Sequence, residues 1–90
     1  MMGNKEKYCK ILEEVLGEKL GGTKYKEFGP NLGPAVASYL KEKFNKNGIT
    51  SGPYFVMGSS LVRKISKMKD NEAILTCITE SLMANSGHKF

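Results

Sequence analysis

The 90-residue chain has two cysteines, one histidine and three prolines, and Asp70 is its sole aspartate. Groups that ligate metals or carry out acid–base and nucleophilic chemistry are therefore scarce. Cys9 and Cys77 stand apart without metal-ligand spacing, and with no secretory signal in view the expectation is two reduced, half-buried thiols rather than a disulfide. No D-x-[DN]-x-[DN]-G loop closed by a glutamate can be made from these residues, so no calcium site is expected. Gly58-Ser59-Ser60 lacks the flanks of a G-x-S-x-G nucleophile turn, the lone His88 lies close to the end of the sequence, and no glycine-rich phosphate loop occurs. The chain is expected to be a non-enzyme with no cofactor and no metal. Its uncharged apolar stretches fall well short of the roughly 20 residues of a membrane span, and Met1-Met2-Gly3-Asn4-Lys5 has no apolar signal region behind it. An intracellular, cytoplasmic protein without membrane contact follows as an expectation.

What is present is ordinary globular material: 40% apolar and 26% charged residues, enough for one domain spanning residues 1–90 and too little for a second core. A chain of this size buries only about 60 to 65% of the surface that its unfolded form exposes, so self-association would add useful stability. The net charge is +5. Much of that excess comes from Arg63, Lys64, Lys67 and Lys69, opposed locally only by Asp70, whereas the earlier lysines alternate with glutamates. Such a cluster can serve as a polyanion footprint, because neutralised phosphates release counterions. It also fits the lysines that guard an exposed strand against edge-to-edge pairing, and that reading is preferred.

Asn4 can cap a helix over about residues 5–20, whose apolar positions Tyr8, Ile11, Leu12, Val15 and Leu16 recur at steps of three and four. Gly17 weakens that helix and Gly21-Gly22 ends it. Tyr25 and Phe28 read as plugs on the core within a connector broken by Gly29-Pro30 and Gly33-Pro34. Pro34 then opens a second helix over about residues 34–46, with Val36, Ala37, Leu40 and Phe44 on one face and Asn47-Gly48 as its stop. Beyond it, Tyr54-Phe55-Val56-Met57, bounded by Gly58, reads as a short buried strand, Leu61 to Ser66 as a second one, and Lys69-Asp70-Asn71 as a turn. The segment from Ala73 to Met83 stays open. Ile74, Thr76, Ile78 and Thr79 favour a pleated surface, while Leu75, Ile78 and Leu82 make a helical stripe.

The stretches Val36-Ala37-Ser38-Tyr39-Leu40-Lys41-Glu42-Lys43-Phe44-Asn45-Lys46, Phe55-Val56-Met57-Gly58 and Ala73-Ile74-Leu75-Thr76-Cys77-Ile78 resemble, in order, the second helix, a strand end and the long fourth strand of the eight-kilodalton dynein light chain family. Leu16-Gly17, Tyr25 and Phe28-Gly29-Pro30 ahead of Val36-Ala37 are similar to the dynein-light-chain-like domain of the tegumental calcium-binding proteins of parasitic flatworms. That second resemblance would make the chain one excised domain of a longer EF-hand protein.

The resemblance implies an α+β fold. Two N-terminal helices would pack on a small antiparallel sheet with strands at about 54–58, 61–67, 72–78 and 80–85. It also implies a homodimer formed by strand exchange and cytoplasmic placement at the cytoskeleton or tegument. The function implied is a dimeric protein-interaction module that pairs extended peptide segments against a sheet edge, with the dynein intermediate chain as a candidate partner. Leu61, Val62, Arg63, Lys64, Ile65 and Ser66 would form the peptide groove and dimer strand, while Tyr54, Phe55 and Met57 would supply dimer contacts. A small basic nucleic-acid-binding domain and a purely structural dimeriser stand as alternatives.

Overall fold

The computed structural model describes residues 3–20 and 27–86, without the side chains of Lys19 and Ser86. Tyr25, the Gly21-Gly22 stop and His88 lie outside that range. The first helix, α1, runs Asn4–Val15 and buries Tyr8, Ile11, Leu12 and Val15 along one face. Asn4 is its first residue rather than its cap, since Gly3 holds the cap position and no side chain bonds back to the helix start. At Leu16 the pitch widens into a π-helical segment, Leu16–Leu20, which buries Leu20.

A 3₁₀ turn, Gly29–Asn31, leads into α2, Leu32–Lys46. The helix thus begins ahead of Pro34, which sits within the first turn, where a missing N–H breaks no helical bond. At the other end, Asn47-Gly48 forms a Schellman motif. The Gly48 N–H donates to the Asn45 carbonyl at 3.1 Å, the Ile49 N–H donates to the Phe44 carbonyl at 2.9 Å, and Gly48 takes φ 77°, the left-handed conformation that glycine adopts without penalty.

The chain does not lay out a sheet after these helices. Residues 53–66 form one continuous helix, α3 (Pro53–Ser66), and residues 71–86 form another, α4 (Asn71–Ser86). The α+β fold, its four strands and a dimer made by strand exchange are therefore overturned: among the described residues no strand occurs. The physical reason is visible in each segment. Gly52 caps α3 with Pro53 at its first positions, a favourable helix start. From there Tyr54, Met57, Gly58, Leu61 and Ile65 recur at three and four and turn inward. Gly58, read as a strand boundary, is an interior residue of that face. In α4, Asp70 caps the start: its Oδ1 accepts the Glu72 N–H at 3.2 Å, and its carbonyl accepts the Ile74 N–H at 3.1 Å. The β-branched residues of α4 cost only a few tenths of a kcal/mol each in a helix, which burial of Ile74 and Ile78 outweighs.

Helices α2 and α3 form an antiparallel hairpin whose approach two glycines permit. A Cβ on Gly33 would overlap the carbonyl oxygens of Met68 and Ile65, and one on Gly58 would lie 2.9 Å from Phe44 Cε2. Helix α1 packs against α2 and α4. Tyr8 sits at the centre of all four helices. Its ring stacks on Phe44 at 5.4 Å and 6°, meets Tyr54 at 5.5 Å with a tilt of 52°, and its hydroxyl shares a 2.7 Å hydrogen bond with Ser81 Oγ. Leu12, Leu40, Ile49, Ile65, Ile74 and Ile78 are among the largest side chains buried with it. Among the described residues no helix is long and apolar enough to cross a membrane.

Candidate functional site

Between α2 and α3 lies an open groove of about 750 Å³. Each wall is a helical stripe. Ser38, Lys41, Glu42 and Asn45 line it from α2, and Phe55, Gly58, Ser59 and Val62, with Arg63 beside them, line it from α3. The floor is Phe44 and Ile49, with Thr50 at the hairpin end. The Schellman turn is what brings Ile49 back under the groove, because its amide is bonded to the carbonyl of Phe44. The bare Gly58 backbone lets Phe44 reach across to α3.

The α3 wall leaves apolar surface uncovered. Phe55 is 44% exposed, and its neighbour Val56 is 65% exposed. A side chain of this kind on the surface of a small domain marks a contact surface when it lines a concavity rather than standing alone. Three ionised residues border the groove: Lys41, Glu42 and Arg63. Glu42 is already engaged, with Lys46 Nζ 2.8 Å from its Oε1 one turn along, and hydrogen bonding and charge from that lysine hold its carboxyl below the usual range. Among the described residues Lys41 and Arg63 make no ion pair.

Elsewhere the titrating groups are structural. The Tyr39 hydroxyl donates to Glu18 Oε2 at 2.9 Å. Partial burial first, and the adjacent carboxylate second, push the phenol up to about 12. Burial likewise raises Tyr8, partly offset by its bond to Ser81. The thiols of Cys9 and Cys77 are unbridged and half-buried, and burial raises both. Among the described residues no group of three or more histidines, cysteines or carboxylates is arranged to hold a metal.

All nine residues expected to form the strand groove and dimer contacts lie on α3, and the helix distributes them around its circumference. Leu61 and Ile65 are core residues, and Tyr54 and Met57 are half-buried against that core. Arg63, Lys64 and Ser66 face solvent, the Ser66 hydroxyl donating to the Arg63 carbonyl at 2.7 Å. Only Phe55, Val62 and Arg63 meet in the groove. Peptide pairing against a sheet edge is overturned with the sheet, since the backbone N–H and C=O groups of residues 61–66 are committed to the helix, and the dynein-light-chain-like architecture goes with it. The α2 wall is absent from the sequence-based expectations. Its signal was present in the polar positions 38, 41, 42 and 45, a stripe opposite the buried one, but nothing in the sequence showed that α3 would lie beside it.

Fold and groove together define, among the described residues, a small all-α domain with a cleft between two antiparallel helices, polar along α2 and partly apolar along α3 and its floor. No protein-family model matches the chain, and no curated protein or solved structure matches it either.

Proposed function

We propose that this chain is a non-catalytic binding domain that takes apolar side chains of a partner protein into the groove between α2 and α3. One observation carries this: the exposed ring of Phe55 and the half-buried Val62 form one wall of a cleft floored by Phe44 and Ile49. Filling such a cleft removes apolar surface from water at about 25 cal/mol per Å². A domain with that geometry binds by packing, in the manner of an amphipathic helix laid in a groove.

A ¹⁵N-resolved NMR titration with a leucine-bearing amphipathic peptide tests it. Shifts are expected to concentrate at Ser38, Asn45, Phe55, Ser59 and Val62, and to vanish in Phe55→Ser, whose exposed position leaves the fold intact. Shifts scattered over the whole molecule, or none at all, would refute the groove.

A homodimer is the second reading, favoured by Val56 at 65% and Leu75 at 39% exposure. Sedimentation equilibrium of the chain alone tests it, with a monomer at every concentration ruling it out.

A further inference from the structure

The groove has two unlike ends. Two contacts register α2 against α3: Gly33 lies on the carbonyls of Ile65 and Met68, and Phe44 lies on Gly58. Lys41, Val62 and Arg63 fall between those fixed points, while Ile49, Thr50 and Phe55 lie beyond the Phe44–Gly58 contact, toward the hairpin turn. The end toward the turn holds Phe55 and Ile49 beside Asn45 and Thr50 and carries no charged lining residue. The other carries two cations that make no ion pair among the described residues, and the groove's own carboxylate, on Glu42, is taken up by Lys46 at 2.8 Å.

Resting on the groove reading above, we infer that the natural occupant is an acidic amphipathic helix of a partner protein, with apolar anchors toward Phe55 and carboxylates toward Lys41 and Arg63. The occupant's shape follows from the walls. The lining positions on each helix run over two turns, about 10 Å at 1.5 Å per residue. That is the span of anchors at i, i+3, i+4 and i+7 on a third helix, and packing side-chain ridges into such a furrow is how helices associate. An extended strand finds no sheet edge to pair with among the described residues. The occupant's charge follows from complementarity: a guest carboxylate meets unpaired cations, whereas a guest lysine meets like charge. A second copy of the chain, at net charge +5, brings the wrong overall sign.

The test uses the full chain and three synthetic helical peptides sharing leucines at i, i+3, i+4 and i+7, with glutamate, lysine or glutamine flanks. Fluorescence anisotropy should rank them glutamate, glutamine, lysine, with about tenfold, or about 1.4 kcal/mol, between first and last. The preference should shrink as salt rises and disappear in the Lys41→Gln/Arg63→Gln double variant, which should bind all three peptides equally. Equal affinity for all three peptides overturns the acidic partner and leaves the groove reading standing. Failure of every peptide to bind overturns both. Two further results reassign the groove: binding of decanoate in the absence of any peptide binding gives it to a small amphiphile, and self-association abolished by Phe55→Ser gives it to a second copy.

Discussion

The ring of Tyr8 lies parallel to that of Phe44 at 5.4 Å, and Phe44 is also the floor of the α2–α3 groove. One aromatic side chain thus belongs to the core and to the candidate site together. Truncating it should therefore be felt twice. Phe44→Ala is expected to cost about 3 to 5 kcal/mol of stability through lost burial and the cavity it leaves, and to weaken guest binding in whatever fraction stays folded. Chemical denaturation beside a peptide titration measures both. Full stability in this variant would contradict the stack.

The Tyr8–Ser81 hydrogen bond should show the asymmetry of buried polar pairs. Ser81→Ala leaves a buried phenol without its partner, at about 1 to 3 kcal/mol, whereas Tyr8→Phe removes the group that needed satisfying and costs about 1 kcal/mol. Urea melts of both variants and of the double variant close the cycle, and the double variant should lose less than the sum of the singles.

The two close-approach glycines should respond differently to a methyl group. In Gly33→Ala the added carbon meets backbone oxygens of Met68 and Ile65, which cannot yield without moving α3, so a loss of about 3 kcal/mol is expected. In Gly58→Ala it meets the Phe44 ring. Some of that cost is recovered through the better helix propensity of alanine, about 1 kcal/mol, but the groove floor shifts and guest affinity falls. Equal thermal melting of the two variants would refute this registration of the hairpin.

Stability should fall in alkali. Burial raises Tyr8 and Tyr39 above the ordinary phenol value of 10.0, Tyr39 to about 12. Each therefore favours its neutral form when folded, so this contribution is complete below about pH 10 and is lost as pH climbs through the folded values. Tyr39→Phe removes one of the two titrations. Its unfolding free energy should decline less steeply between pH 10 and pH 12 than that of the parent chain, as denaturant melts at each pH would show.

Both thiols should react sluggishly. Burial holds Cys9 and Cys77 above 9.0, so little thiolate exists at neutral pH. A thiol reagent added to the folded protein should label both slowly, and denaturant should accelerate the labelling. Rapid modification of either would place it in a more open setting than the helix pair α1 and α4 provides.

The first half of the chain was largely legible because its patterns are local. The stripe from Tyr8 to Val15, the faces of α2 and the Asn47-Gly48 stop each lie within one element. In the second half the apparent strand boundary at Gly58 falls inside a single helix. Tyr54 to Met57 is too short a run for periodicity to separate strand from helix, and only continuing through Leu61 and Ile65 exposes the steps of three and four. Gly52-Pro53 starts this helix, yet the same pair is equally a turn signal. In α4 the β-branched residues argued for a strand, while the deciding signals were the Asp70 cap and the stripe Ile74, Cys77, Ile78 and Leu82. The groove could not be read at all from local pattern. It exists because Gly33 and Gly58 set the register of two helices, and register between distant segments is a tertiary property.

The division of labour around Phe44 has a consequence for how this cleft can change. Its base is shared with the interior, so a replacement there alters the whole molecule. Phe55, Lys41 and Arg63 on the rim hold up nothing central, and selectivity can be rewritten at those positions much as the wards of a lock are recut while its case is kept.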